Sequence, residues 1–253
     1  MKIEKIICAV DASNSSKQAL AFANKLATKF SAQLSVVHIF PAELRMKNEF
    51  KEHVIEEINT WLNGLLKSPI IHLDGIISEE LQKLSKSNDL LVMGLRGSNH
   101  SSRYYGSNAA QVIQTASCPV FLIPDAETDF HFKKIVFASD FKDIVRDENL
   151  EALRDLADHQ KAELHLLHVS GNTVLDTEEG DEAIELHAIF KDINHAFFVV
   201  EEQDIVKGIQ KHIKDNKIDL LAIMPRKTTK LAHTLSQAII NETESIPIFS
   251  FHA

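Results

Sequence analysis

Residues Asp89–Ser98 read Asp-Leu-Leu-Val-Met-Gly-Leu-Arg-Gly-Ser, an apolar strand that runs directly into two glycines. The strand recurs at Asp219–Met224 as Asp-Leu-Leu-Ala-Ile-Met, and Pro225-Arg226-Lys227-Thr228 follows it without a glycine. Short strands that are apolar throughout are typical of parallel sheets covered on both faces. The chain therefore has the pattern of one fold present twice, with a glycine loop in only one copy.

Four landmarks recur in the same order in the two halves of the chain. They are a strand ending in aspartate, a strand with a histidine near its end, the Asp-Leu-Leu strand and a closing strand. They lie at Asp11, His38, Asp89 and Pro119 in the first copy and at Asp140, His168, Asp219 and Pro247 in the second. The offsets are 129, 130, 130 and 128 residues. A period of this length predicts two complete domains, because solenoid repeats are only roughly 20–50 residues long.

Helices are predicted between the strands, because apolar residues recur there at helical spacing. Ser13, Ser15 and Ser16 can cap the first helix. The predicted helices span residues 15–30, 49–66, 79–87 and 108–116 in the first copy, and 148–160, 182–190, 204–216 and 234–241 in the second. This alternation predicts an α/β fold of two tandem, doubly wound domains with five parallel strands each. Domain 1 is expected at residues 1–126 and domain 2 at 130–253, with a polar linker over 124–132.

The composition is that of a soluble globular protein, with 44% hydrophobic residues and a formal net charge of −9. The negative charge argues against nucleic acid as a partner, because phosphate backbones attract basic surfaces. No apolar run reaches the roughly 18 residues of a membrane span, and no signal-like apolar segment follows Met1. We therefore expect a cytoplasmic protein that contacts neither membrane nor nucleic acid.

The cysteines and histidines predict no metal site. Cys8 and Cys118 form no Cys-x-x-Cys motif and are expected to pack as small apolar side chains. His165 and His168 are three residues apart on a predicted strand, so they point to opposite faces of the sheet and cannot chelate one ion together.

The carboxyl ends of the strands in domain 1 are the expected place for a ligand, because open parallel sheets bind ligands where their strand order reverses. Asp11, Ile39 and Met93 lie at three such ends. Glycine lets a backbone approach a ligand closely, and a helix N-terminus attracts anions. The candidate phosphate-binding residues are Gly94, Gly97, Gly106, Ser107 and Asn108, with Arg96 and Arg103 as nearby cations.

A purely structural role stays open for the same residues. Two glycines between a strand and a helix also occur in tight turns, and Asp11 can simply cap the helix that follows. Tyr104 and Tyr105 can pack over the loop or fill the cleft. The chain has no Gly-x-x-x-x-Gly-Lys-Ser/Thr loop and no Gly-x-Ser-x-Gly nucleophile elbow.

These residues resemble the universal stress protein family. The family pattern is an opening strand ending in Asp, a strand with His, and a glycine motif before a Cys-Pro-Val strand. In that motif Gly-x-x-Gly is followed by nine residues, a glycine, and Ser or Thr. The resemblance is carried by Val10–Asp11, His38–Ile39, Gly94, Gly97, Gly106–Ser107 and Cys118–Val120, and it covers the chain as a tandem pair. It implies an adenine nucleotide alpha hydrolase-like fold for both domains.

Family members with the glycine motif bind ATP, which Mg²⁺ can accompany. The implied adenosine contacts are Ala9, Val10, Asp11 and the backbone of Ile39. The implied phosphate contacts are Gly97, Gly106, Ser107 and Asn108, while Met93 and Gly94 flank the nucleotide. The resemblance also implies an intramolecular pseudo-dimer, with the two domains paired through their closing strands as single-domain relatives pair in dimers. A homodimer of the whole chain stays open.

The chain departs from the family pattern in two places. Eight residues, Ser98 to Tyr105, separate Gly97 from Gly106, where the family has nine. In domain 2 the loop has no glycine, and Pro225 lacks the N–H that a phosphate would need. ATP is therefore expected in domain 1 only. The basic residues Arg226, Lys227 and Lys230 are expected to form a solvated loop, with another anion as the alternative.

The sequence thus predicts a stress-response protein whose domain 1 holds ATP, or a related adenine nucleotide, in a regulatory role. Two alternatives stay open: a tandem scaffold that has lost the nucleotide, and a slow ATPase in which Asp11 holds Mg²⁺ or orients water. No catalytic residue is assigned, because no paired base and second carboxylate is visible beside the loop.

Overall fold

The computed structural model describes residues 2–42, 48–65, 67–97, 107–139, 150–170, 177–225, 238 and 245–251. The chain divides into two units, Lys2–Phe130 and His131–Ala253. Each unit contains a five-stranded sheet whose strand pairs are parallel, which confirms the predicted α/β class.

The first unit alternates strands and helices from its beginning to its end. Its elements are β1 (Lys5–Ala9), α1 (Asn14–Phe30), β2 (Gln33–Pro41), α2 (Asn48–Trp61), β3 (Ile70–Gly75), α3 (Ile77–Ser85), β4 (Leu90–Gly94), α4 (Ser107–Thr115) and β5 (Val120–Ile123). The strand order is β3-β2-β1-β4-β5. Because β1 pairs with β2 on one side and with β4 on the other, the strand order reverses between β1 and β4.

The second unit repeats this plan. Its elements are β6 (Lys134–Ala138), α5 (Leu150–Gln160), β7 (Glu163–Ser170), α6 (Thr177–Ile189), β8 (His195–Glu201), α7 (Ile205–Asn216), β9 (Leu220–Ile223) and β10 (Ile248–Ser250). The strand order is β8-β7-β6-β9-β10, which is equivalent to that of the first unit. The helix predicted at 234–241 lies outside the described residues.

The recurring aspartate of the Asp-Leu-Leu strand has the same structural role in both units. Oδ2 of Asp89 accepts hydrogen bonds from the amides of Glu4 and Lys5, both at 2.8 Å. Oδ2 of Asp219 accepts from the amides of Lys133 and Lys134 at 2.8 and 2.9 Å. Each carboxylate therefore anchors the start of the neighbouring opening strand, which gives the repeat a physical reason.

The second helix ends earlier than the sequence pattern indicates. We expected it to reach residue 66, but α2 ends at Trp61 and a turn follows. Gly64 in that turn has a φ of 82°, a left-handed conformation that glycine adopts at low cost. The apolar residues Leu62 and Leu65 continue the helical spacing beyond the true end, which is why the pattern overestimates the length.

The segment expected as a polar linker contributes to the core. Phe130 is buried against Phe22 and Phe121, with ring centroids 5.9 and 6.3 Å away. Phe132 is buried too, and its amide donates to the side chain of Gln160 at 3.3 Å. The segment from 124 to 132 contains the boundary between the units but is not polar throughout, because these two rings each pack into their own unit.

Candidate functional site

Asp11 stands two residues after β1 and is bound into the turn that begins α1. Its Oδ1 accepts a hydrogen bond from the Ser13 amide at 2.9 Å. Its own amide donates to Oγ of Ser16 at 2.8 Å, and that hydroxyl donates to the Asp11 carbonyl at 2.9 Å. The N-cap is Ser13, whose Oγ accepts from the Ser16 amide at 3.1 Å. Asp11 therefore shapes the turn before the cap, and the expectation that it could be the cap itself is wrong.

Two serine hydroxyls join the start of α1 to the backbone that follows β4. Ser13 and Ser15 both donate to the carbonyl oxygen of Arg96, Ser13 at 3.3 Å. The Arg96 amide donates to Oγ of Ser15 at 3.3 Å. Because both serines are buried, these hydrogen bonds replace water and hold the backbone at Arg96 against the helix. The position of these serines predicts helix caps, but no sequence pattern indicates their contact with Arg96.

Gly94, the last residue of β4, lies directly against the start of α1. A Cβ atom on Gly94 would lie 2.5 Å from Oγ of Ser15 and 2.9 Å from the amide nitrogen of Ser16. Real Cβ atoms do not approach other atoms so closely, and one of these neighbours is backbone. Glycine is therefore required at this position because the end of β4 packs closely against α1.

Gly97 and Asp11 are brought together although 86 residues separate them in the sequence. A Cβ atom on Gly97 would lie 3.4 Å from Oδ2 of Asp11, an ordinary contact distance. Within the described part of the chain it would meet no other atom closer than 4 Å outside its chain neighbours. Asp11 and Gly97 thus lie side by side at the carboxyl edge of β1 and β4, where the strand order reverses.

The other end of the loop is described only from Ser107, where α4 begins. Asn108 follows in the first helical turn and is exposed. Gly106 lies outside the described residues, as do Arg103, Tyr104 and Tyr105. The expected phosphate contacts of this segment and the expected cover by the tyrosines therefore stay predictions.

The residues expected beside adenosine lie at the ends of β1, β2 and β4. Ala9 pairs with Val37 on one side and with Met93 on the other. The amide of Val10 donates to the carbonyl of Val37 at 2.8 Å. Val10, Ile39 and Met93 are 5%, 6% and 8% exposed, so a ligand at this edge would reach them mainly through their backbone.

His38 also lies in this region, although it was not predicted to be a site residue. Its Nδ1 lies 2.8 Å from the carbonyl oxygen of Val10, which can only accept, so Nδ1 donates. Burial lowers the pKa of His38, while the hydrogen bond to Val10 and the charge of Asp11 oppose that shift. The neutral ring therefore holds the Val10 carbonyl in place. Its recurrence as His168 was the signal in the sequence that could have identified it.

Aromatic and charged side chains continue from His38 towards β3. The His38 ring packs edge-on against Phe40, with centroids 4.7 Å apart, and His72 lies 6.0 Å from Phe40. Nζ of Lys51 lies 5.4 Å above the Phe40 ring and also pairs with the carboxylate of Asp74. These side chains form a cluster on one side of the strand ends.

The second unit keeps part of this arrangement. The amide of Ser139 donates to the carbonyl of Leu167 at 3.0 Å, as Val10 does to Val37. Nε2 of His168 lies 3.7 Å from Oε1 of Glu179, so this buried histidine faces a carboxylate. Asp140 and the basic residues Arg226, Lys227 and Lys230 lie outside the described residues.

Two other features are absent from the regions that the structure describes. No group of three or more His, Cys, Asp or Glu side chains there could hold a metal ion. No described helix is long and apolar enough to cross a membrane.

Both units have the same doubly wound strand order, and in the first unit Gly97 lies beside Asp11. The chain is therefore a tandem α/β protein with a candidate ligand site in its first unit. Residues 2–124 match the model of the Universal stress protein family. A curated Thermus aquaticus protein, the "Universal stress protein in QAH/OAS sulfhydrylase 3'region", is 31% identical over 133 residues, which cover 47% of this chain and 96% of that protein. The chain therefore belongs to the universal stress protein family.

Solved structures extend the likeness over the whole chain. A universal stress protein from Archaeoglobus fulgidus has a TM-score of 0.71 at 18% identity, with 97% of this chain and 94% of that chain covered. A Pseudomonas aeruginosa protein, provisionally described as a universal stress protein, has a TM-score of 0.65 at 14% identity, with 99% and 93% covered. At these identities the likeness concerns the fold, and it confirms the two-part α/β plan.

Proposed function

We propose that the first unit binds an adenine nucleotide, ATP in the first instance, as a regulatory ligand in a stress response. The observation that carries this proposal is the position of Asp11 beside Gly97. Oδ2 of Asp11 lies 3.4 Å from the position of a Gly97 Cβ, at the carboxyl edge where ligands of open parallel sheets bind.

The chemistry of this edge suits a ligand with both a sugar and phosphates. Asp11 uses Oδ1 to hold the turn before α1, and a carboxylate beside backbone can accept hydrogen bonds from ribose hydroxyls or help to hold Mg²⁺. Gly97 has no side chain, which would let a ligand approach its backbone closely. The N-terminus of α4, at Ser107 and Asn108, would attract the phosphates despite the net charge of −9, because its field is local.

We propose that the second unit holds no ATP. Pro225 follows β9 and has no N–H, and no glycine occurs between Ile223 and the end of the chain. His168, the counterpart of His38, faces the carboxylate of Glu179, so the ends of the strands in this unit present different side chains from those of the first unit.

A titration of the full chain with Mg²⁺-ATP tests the proposal. We expect one nucleotide per chain by calorimetry and a rise in the melting temperature. A ligand at 100 times its Kd stabilises a folded protein by about 2.7 kcal/mol, which is readily measured. Gly97→Val should abolish binding, because its side chain would project towards Asp11. Gly180→Val is the matched control, since a Cβ on Gly180 in α6 meets nothing within 4 Å among the described residues.

Two other outcomes would redirect the assignment. The absence of any thermal shift at millimolar ATP, ADP and AMP would indicate a scaffold that has lost the nucleotide. Release of phosphate that stops in Asp11→Asn would instead indicate a slow ATPase. The proposal also includes a cytoplasmic location and pairing of the two halves as in dimers of single-domain relatives. Cell fractionation and the mass of the chain in solution test these two points.

A further inference from the structure

Two histidines of the second unit meet at a position that the nucleotide proposal does not use. His187 lies in the last turn of α6, and His195 is the first residue of β8. Nδ1 of His187 lies 3.0 Å from Nε2 of His195, and the ring centroids are 5.0 Å apart with planes inclined at 53°. The two nitrogens therefore face each other across the turn that joins the helix to the strand.

The protonation of His195 is set by a neighbouring backbone group. Its Nδ1 lies 2.8 Å from the carbonyl oxygen of Ile193, which can only accept a hydrogen bond. In the neutral ring Nδ1 therefore carries the proton, and Nε2 presents its lone pair towards His187. Histidines that bind metals commonly donate their other N–H to a backbone carbonyl in this way, which fixes the tautomer and orients the ring.

The distance between the two nitrogens fits a particular coordination geometry. With metal–nitrogen bonds of about 2.0–2.1 Å, nitrogens 3.0 Å apart subtend about 95° at a shared ion. That angle suits two neighbouring positions of a square-planar or tetragonal ion, the geometry that Cu²⁺ and Ni²⁺ prefer with imidazole ligands.

We propose that His187 and His195 form a two-histidine site for a tetragonal divalent ion, Cu²⁺ or Ni²⁺. The ion lies beside the line that joins the two nitrogens, so the exposed His187 ring turns towards it, and His187 then carries its proton on Nε2. Water fills the remaining positions, because His187 is exposed and no third His, Cys, Asp or Glu of the described residues completes a cluster there. The bound ion cross-links the end of α6 to the start of β8.

Titration of the untagged, full-length chain with Cu²⁺ tests this site. A weak competitor such as glycine suppresses binding to isolated histidines. We expect one Cu²⁺ per chain, an electron paramagnetic resonance spectrum with two imidazole nitrogens, and a higher melting temperature. His187→Ala and His195→Ala should each weaken binding at least tenfold and leave one coordinating nitrogen of the pair.

The control variant is His53→Ala, which removes an exposed histidine from α2 of the first unit. It should bind Cu²⁺ as the unchanged chain does. The proposal fails if the double variant His187→Ala/His195→Ala binds one Cu²⁺ with unchanged affinity and spectrum, or if the unchanged chain shows no two-nitrogen species.

Discussion

Nδ1 of His165 lies 2.9 Å from Nε2 of His212, which joins β7 to α7 within the second unit. Both rings are buried, at 1% and 4% exposure, and His165 stacks on Phe198 with centroids 4.4 Å apart. Asn216 donates to the His212 carbonyl at 3.0 Å and holds this residue from the next turn of the helix. The hydrogen bond between the rings requires one donor and one acceptor, so the accepting imidazole is neutral in the native state.

This pair predicts that the second unit loses stability in mild acid. Burial lowers the pKa of His212 to about 4, and it also lowers the pKa of His165. The charges of Glu163 and Asp215 oppose these shifts, whereas Lys134 adds to them. The unfolded chain therefore binds protons that the native state excludes. The stabilisation is complete above pH 6.5 and is lost as the pH falls from there towards 4, by on the order of 2 kcal/mol.

Urea denaturation at several pH values between 7.5 and 4 checks this expectation. His212→Gln removes the titrating group but keeps a side chain that can donate to His165, so its stability should vary less with pH. His53→Ala, which changes an exposed histidine of the first unit, should keep the full dependence. Parallel curves for the unchanged chain and His212→Gln would contradict the assignment.

The two glycines of the loop are expected to respond differently to a single methyl group. Gly94→Ala should destabilise the first unit by about 1–3 kcal/mol, because its Cβ would overlap Ser15 and the backbone of Ser16. Gly97→Ala should fold normally, because among the described residues its Cβ would make only an ordinary contact with Asp11. Thermal unfolding without ligand separates the two, and equal losses in both variants would count against this difference in packing.

The repeated aspartate should contribute equally to the stability of both halves of the chain. Asp89→Ala removes the acceptor of two backbone amides and is expected to lower the free energy of unfolding by about 1–2 kcal/mol. Asp219→Ala should have the same effect through Lys133 and Lys134. Asp89→Asn keeps an acceptor oxygen and should lose less. Chemical denaturation measures all three, and an alanine variant as stable as the unchanged chain would exclude the anchoring role.

His38→Phe tests the support of the Val10 carbonyl. The change keeps an aromatic ring beside Phe40 but removes the donor, which leaves a buried carbonyl without its partner at a cost of about 1–3 kcal/mol. His72→Phe is the matched control, because the buried Nδ1 of His72 has no hydrogen-bond partner within the described residues. It should be neutral or slightly stabilising in the same unfolding measurement. If both variants lose the same stability, the hydrogen bond to Val10 is not the cause.

The fold could be predicted largely from local patterns in the sequence. Two five-stranded parallel sheets could be predicted from apolar strands and from the helical spacing of apolar residues between them, a pattern that repeats after about 130 residues. Strands buried on both faces of a sheet are apolar throughout, so the sequence shows them directly. The helix end near Gly64 was misplaced, since Leu62 and Leu65 continue the apolar spacing past the left-handed residue.

The contacts of the site depended on the folded chain. Three contacts of the site join residues that are 28 to 86 positions apart: Gly94 with Ser15, Gly97 with Asp11, and His38 with Val10. Residue types and spacing indicate which edge of the sheet receives a ligand, but not which hydroxyl or carbonyl each residue meets there. Those partners are set by strand order and by the packing of α1 against the loop, because sequence distance carries no information about which side chains share a surface.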